Sequence, residues 1–195
     1  MPASLSTPLS ESSVRALSLN EQVLLSGRIF TARDAVHKYL AGDCDPGAFQ
    51  HLRGGVFYHC GPVIIKAVDG SWRVTAAGPT TSSREEPYMA ALIEKFALRA
   101  IIGKGGMGAA TLAACQRCGC VYLHAVGGAA QVLAAAVRDI PAVEFLSEFG
   151  CPEALWTLTV ENFPAVVSMD AQGHSLHEQV RSESKQRLQQ LLAEA

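Results

Sequence analysis

From residue 80 onward the chain alternates helical stretches with short, wholly apolar runs, and that alternation restricts the fold more than any other feature of the sequence. A helical segment near 84–97 leads to the apolar run from Ala100 to Gly103, a second near 108–117 leads to Val121 through Ala125, and a third helix is expected from Ala129 to Asp139. Short apolar strands separated by helices fit parallel βα units, whose strands are covered on both faces and need no polar side. Ahead of residue 80 the pattern differs. Gln22 to Phe30 is apolar enough for a strand, and Thr31 is placed to cap a helix that carries Arg33, His37 and Leu40. Gly54 to His59 reads as a second strand. Val63 to Val68 and Ser71 to Ala76, joined by Asp69-Gly70, predict a hairpin with a tight two-residue turn. Leu155 to Val160 and Ala165 to Met169 read as two further strands before a polar helix from about Leu176. The expected fold class is α/β, with an antiparallel N-terminal β part followed by parallel βα units.

With 195 residues the chain can bury one substantial core. The expected organisation is a Ser/Pro-rich N-terminal arm over 1–18, one principal domain over 19–175 and a C-terminal helix over 176–195. The arm reads as a segment that could lie on another surface. No apolar run approaches the ~20 residues a membrane helix needs. The first residues lack both a basic start and an apolar signal core, so a cytoplasmic location is expected. A formal charge of −2 without a basic run argues against nucleic acid, which demands a clustered positive field. The hydrophobic share, 49% against 17% charged, implies apolar surface meant for another chain.

Three segments could carry chemistry. Gly78-Pro79-Thr80-Thr81-Ser82-Ser83-Arg84 lies where a strand gives way to a helix, so hydroxyls and a guanidinium gather at unpaired helical N–H groups, a good carboxylate cradle. Ser82 and Ser83 also stand three residues before Glu85 and Glu86, the spacing of a capping box. Gly103-Lys104-Gly105-Gly106-Met107-Gly108 follows a strand and opens a helix, with Lys104 in position to hold an anion. The same loop fits G-x-G-x-x-G, which keeps an NAD(P)-binding oxidoreductase as the alternative reading, although no acidic residue ends the next strand to hold a ribose. Arg33 and His37 fall one helical turn apart, and an arginine fork suits bidentate carboxylate binding. Cys115, Cys118 and Cys120 are closely spaced, yet no second Cys/His pair completes a metal site, so buried thiols are expected and no metal ligands are assigned. His59 and His124 each end a strand and could be either core or ligand-facing.

Taken together, Arg33-Asp34-Ala35-x-His37, Tyr58-x-x-Gly61-Pro62, Gly78-Pro79-Thr80-Thr81-Ser82-x-Arg84 and Gly103-Lys104-Gly105-x-Met107 resemble the C-terminal domain of class I fumarases and the β subunit of L-tartrate dehydratase. Gly127-Gly128-x-Ala130, Glu153-Ala154-x-Trp156 and Val160-Glu161-x-Phe163-Pro164 follow in the same order. The resemblance implies a swivelling β/β/α domain in a hydro-lyase that dehydrates a small 2-hydroxy dicarboxylate, malate to fumarate or L-tartrate to oxaloacetate. It also implies a larger α subunit as partner, and a [4Fe–4S] cluster bound by that subunit rather than by this chain. By the same resemblance Thr80 matches a proposed catalytic base, Thr81 a substrate contact, and Arg33, Arg84 and Lys104 the residues that hold the substrate's carboxylates. Glu85 departs from the family pattern, where methionine is usual.

Overall fold

The computed structural model describes residues 1–193. In chain order its elements are β1 (Ala3–Ser6), α1 (Glu11–Arg15), β2 (Gln22–Ala32), α2 (Asp34–Ala41), β3 (Val56–His59), β4 (Val63–Lys66) and β5 (Trp72–Ala76). There follow α3 (Glu86–Phe96), β6 (Ala100–Gly103), α4 (Ala109–Cys118), β7 (Val121–His124), α5 (Ala130–Ala134), β8 (Val137–Glu144), α6 (Leu146–Phe149), β9 (Leu155–Met169) and α7 (Leu176–Ala193). Short 3-10 stretches precede β3 and α3.

Strands β2, β3, β6 and β7 run parallel in that order, and β9 pairs antiparallel with both β7 and β2, so the five close into a small mixed barrel. The side-chain period of two divides the interior into two cores. Val56, Tyr58, Ala100, Ile102, Val121 and Leu123 fill the barrel with Ile29, Trp156, Leu158 and Phe163. Their neighbours in sequence, Phe57, Ile101 and Tyr122, point outward against Leu40, Met89, Leu92, Phe96 and Ala114 of α2, α3 and α4. Both faces of these strands are therefore dry, which is why they read as continuous apolar runs.

The α/β class holds, while the division into an antiparallel first part and a parallel second part does not. β2 pairs parallel with β1 as well as β3, and its antiparallel partner is β9, far along the chain. Residues 1–18 supply β1 and α1, with Leu5, Leu9, Val14 and Leu17 buried in the barrel-side core, so the segment read as an arm lies on its own chain. Thr31 does not cap α2. It is buried in β2, where its hydroxyl accepts the Trp156 N–H at 3.1 Å, and Arg33 occupies the N-cap position.

The hairpin of β4 and β5 forms, but Ala67 N–H donates to the Ser71 carbonyl and Gly70 N–H to that of Ala67, so three residues, not two, make the turn. The helix expected over 129–139 stops at Ala134, and its second half is β8, drawn onto β9. The two strands expected within 155–169 are one continuous strand. The C-terminal helix is present to Ala193, and residues 194–195 of the expected span lie outside the described residues. Among the described residues no helix is long and apolar enough to cross a membrane.

Candidate active site

All four parallel strands of the barrel end at the same rim, the place where open parallel sheets usually bind ligands. Arg33 follows the last residue of β2 in extended conformation, and the register sets Ala32 level with His59 at the end of β3. There the chain of residues 77–82 enters between β3 and β6. Pro79 bridges Cys60, Thr80 N–H donates to the His59 carbonyl at 2.7 Å, Thr81 bridges Lys104, and Ser82 N–H donates to the Lys104 carbonyl at 3.0 Å. An arc thus runs from Arg33 through Thr80 and Thr81 to Lys104. Arg84 joins it by a side-chain bond from Nη2 to Asp34 Oδ2, which ties the Thr80 segment to the head of α2.

Each arginine already has a protein carboxylate. Arg33 Nε lies 3.2 Å from Glu153 Oε1, close enough for an ion pair though without the N–H aimed at the oxygen, and Glu153 Oε2 accepts the Ala35 N–H at 3.0 Å. Arg33 also packs tightly beneath Gly61, where an added Cβ would stand 2.8 Å from Nη1. These pairs engage part of each fork and leave further N–H donors open, since a guanidinium carries five. Among the described residues Lys104 has no carboxylate within 4.0 Å.

Behind the rim, on the helical side, lies a buried polar file. The Tyr122 hydroxyl donates to Ser82 Oγ at 2.8 Å, and Ser82 Oγ stands 2.9 Å from His59 Nδ1, so the serine proton is assigned to the imidazole. The His59 ring meets the His37 ring edge-on at 4.9 Å between centroids, and His37 Nδ1 donates to the Arg33 carbonyl at 2.8 Å. Burial drives both imidazoles toward the neutral form, with His37 brought down to about 4 and His59 held well below its ordinary value. Burial also raises the Cys60 thiol to about 12, beyond the range of a reactive thiolate.

Gly103 makes this packing possible. A Cβ there would stand 1.9 Å from Ser82 Oγ and 2.8 Å from the Tyr122 hydroxyl. Gly103→Ala is therefore expected to destabilise the chain by about 1–3 kcal/mol through overpacking. Denaturant unfolding checks this: an alanine variant as stable as the parent would show that the Ser82 hub is not fixed.

The neighbouring features depart from the sequence reading in instructive ways. Neither capping box forms, because Ser82 is drawn to His59, and Glu86 turns away to accept Gly108 N–H at 2.7 Å, Thr111 N–H at 3.2 Å and the Thr111 hydroxyl at 2.7 Å. The Glu86 carboxylate thereby occupies the N-terminus of α4, the position a dinucleotide pyrophosphate would need. Gly106 is covered as well, since a Cβ there would meet the His177 ring at 2.3 Å. Both observations count against the nucleotide alternative. His124 is half-buried with Nδ1 unpartnered, near His177 at 5.8 Å between centroids. Trp156 is buried and donates from Nε1 to the Cys151 carbonyl at 2.9 Å, with the partly exposed Trp72 edge-on against it.

Cys115 and Cys118 lie on α4, and Cys120 is buried just before β7. Among the described residues no group of three His, Cys, Asp or Glu side chains could hold a metal ion, so the donors present do not fit an iron–sulfur cluster. Sequence reasoning missed Asp34 and Glu153 as arginine partners and Ser82 and Tyr122 as the hub. Glu153 sits within a motif the sequence displays, but nothing local says that it meets Arg33, which lies far away in sequence.

Comparison with known proteins shows the family of the chain. The family model described as "Fumarase C-terminus" matches residues 2–180. A Geobacillus stearothermophilus protein provisionally named class I fumarate hydratase is 49% identical over 186 residues, covering 95% of this chain, and the chain spans only 35% of that protein's length. A Methanocaldococcus jannaschii protein provisionally named L(+)-tartrate dehydratase subunit beta is 38% identical over 187 residues, 94% of this chain and 95% of that one. The L(+)-tartrate dehydratase subunit beta of Escherichia coli K12 is 33% identical over 173 residues, 88% of this chain and 85% of that one. Because the matched region takes in the whole barrel and every residue of the rim, the chain belongs to the fumarase C-terminus family.

Proposed function

We propose that this chain is the β subunit of a hydro-lyase that reversibly dehydrates a small 2-hydroxy dicarboxylate, malate to fumarate or L-tartrate to oxaloacetate. The observation that carries the reading is the arc of Arg33, Thr80, Thr81 and Lys104 on one rim, with Arg84 bound to the head of α2, in a chain of this family. Arg33 and Arg84 hold the two substrate carboxylates through the donors that Glu153 and Asp34 leave open. Lys104 faces the carbon acid, where negative charge develops as the C–H bond breaks and an enolate-like state forms. Thr80 takes the proton and Thr81 positions the substrate, while the hydroxyl lost from the adjacent carbon leaves with a proton as water. A neutral threonine is a weak base, so the proton must pass onward, in part through groups outside this chain.

The family's [4Fe–4S] cluster finds no ligand set among the described residues, and we assign it to a larger α subunit. The barrel is a closed unit, which suits a domain that swivels as one body against that partner.

Expressed alone, the chain is expected to be iron-free and inactive on malate, fumarate and L-tartrate. Co-expression with the larger subunit should yield an oxygen-sensitive hydro-lyase, read by absorbance of the unsaturated product or by coupled assay of oxaloacetate. A cluster at full occupancy on the lone chain would overturn this division of labour, and an assembled, cluster-loaded complex without dehydratase activity would overturn the function.

A further inference from the structure

Among the described residues, seven buried side-chain nitrogen and oxygen atoms lack a hydrogen-bond partner, and five of them belong to Arg33, His37, His59 and Glu85. Buried polar atoms are ordinarily paired, so this clustering behind one rim requires a cause. Glu85 is the extreme member, with 1% of its surface exposed and both carboxyl oxygens unpartnered. His37 cannot serve it. Its Nδ1 lies 3.5 Å from Glu85 Oε2, but the proton there is committed to the Arg33 carbonyl at 2.8 Å, an atom that can only accept.

What Glu85 lacks as an anion it gains as an acid. A protonated carboxyl has a donor, and the Asp34 carboxylate, whose charge adds to the upward push on Glu85, is the group that could accept it. Burial first, and then the Asp34 and Glu153 carboxylates, push Glu85 up to about 8, with Arg84 opposing. Asp34 in turn accepts from Arg84 Nη2. The buried Glu85 thus acts electrostatically on Asp34, and Asp34 is bonded to Arg84 at the rim.

We propose that Glu85 is a proton-holding positioning residue which, through Asp34, sets how freely the Arg84 fork takes a carboxylate ligand. The inference rests on reading the rim as a dicarboxylate site. The groups that face Glu85 are Asp34 and His37 of α2, Arg33 at that helix's head, Arg84 on its own turn, Glu153 ahead of β9, and His59 behind His37. Glu86, next in sequence, is turned away to α4. The two guanidinium groups balance Asp34 and Glu153, and the imidazoles are neutral, so the proton on Glu85 decides whether the cluster is neutral or carries one negative charge. Without that proton, Asp34 and Glu85 repel each other and together draw Arg84 inward. An incoming carboxylate then meets both a busier fork and an extra like charge, which should weaken its binding at the partly exposed Arg84 about three- to tenfold.

The sign follows from linkage. The raised acid keeps its proton in the folded chain between its ordinary value of 4.5 and about 8, so its contribution to stability is complete below 4.5, falls across that window and levels off above it.

The test uses the full chain, isotope-labelled, with the Glu85 carboxyl carbon and the Arg84 Nε followed by NMR from about pH 6 to about pH 10, and with succinate as the dicarboxylate probe. The Arg84 signal should step with the same midpoint as the Glu85 carboxyl. That step should vanish in Glu85→Gln, which keeps the shape of the neutral acid, and in Asp34→Asn. Succinate affinity should fall about three- to tenfold between about pH 7 and about pH 9 in the parent and stay flat in Glu85→Gln. An Arg84 step that persists in Glu85→Gln, or no step at all, overturns the proposal. So does a succinate affinity with the same pH dependence in both chains. If the step behaves as expected but succinate perturbs none of Arg33, Arg84 and Lys104, the coupling stands and the dicarboxylate reading falls.

Discussion

Thr80→Val is expected to lower the kcat of the assembled hydro-lyase by about 10²–10⁴-fold, the contribution of a positioned acid or base, with a smaller change in KM. Valine keeps the β-branched shape, and the contacts that hold residue 80 are made by the backbone: the Thr80 N–H to the His59 carbonyl, and the bridges of Pro79 and Thr81 on either side. The substitution removes a hydroxyl and little else. Thr81→Val, one residue on and more exposed, should show its loss partly in KM. Steady-state kinetics on a cluster-loaded complex decide the matter. Near-normal kcat in Thr80→Val would move the base to the partner chain and leave this subunit as a carboxylate clamp.

Neutralising Arg33 should be the more damaging of the two arginine substitutions. Its side chain is 24% exposed and its Glu153 partner equally so, whereas Arg84 is 55% exposed. Removing Arg84 deletes charge-assisted hydrogen bonds worth ~1.5–3 kcal/mol, or roughly ten- to a hundredfold in kcat/KM. Removing Arg33 deletes similar bonds from a less exposed position and also strands Glu153 at the barrel mouth, so that together they cost ~3–5 kcal/mol, the catalytic share at the upper, roughly hundredfold end and the remainder appearing as lost stability. Arg33→Met is thus expected to lose more than Arg84→Met. Adding Glu153→Gln to Arg33→Met should restore stability without restoring catalysis. Arg84→Lys should remain impaired, because an ammonium cannot reproduce the planar fork. A loss below about threefold for Arg33→Met would remove Arg33 from the substrate site.

The parallel strands were legible because each is short, apolar and followed by a helix, and the observed β6 and β7 fall where the alternation predicts. Barrel closure was not legible. It depends on β9 pairing with β2, a contact between distant segments that no local period records, and Asn162-Phe163-Pro164 within β9 looks like a break between two strands. There Asn162 takes a positive φ of 53° and its N–H donates to Ser26 Oγ, opposite the register shift between Leu25 and Gly27. The Ala-rich run after Ala129 has helical propensity to spare, yet its second half joins the edge of β9 because a strand was waiting there. The candidate residues at the rim stand out in the sequence only by their order along the chain. The charges that pair them were hidden, because Asp34, Glu85 and Glu153 look like ordinary surface acids until the tertiary fold brings them together.

The first strand has a consequence for any chain joined ahead of it. β1 lies parallel to β2 with Ala3 level with Val23, and the rim begins at Arg33, ten residues farther along. At ~3.3 Å per residue, the entry point of the polypeptide stands roughly 30 Å from Arg33, while Pro2 lies beside His124 at the end of β7. A tether to a preceding domain would need about nine or ten extended residues merely to reach Arg33. In a single-chain arrangement, such as the greater length of the Geobacillus relative would accommodate, a shorter tether would hold the added domain on the β7 side of the barrel. Tether length would then act as a ruler that decides whether the two halves can meet face to face, a constraint from which separate subunits are free.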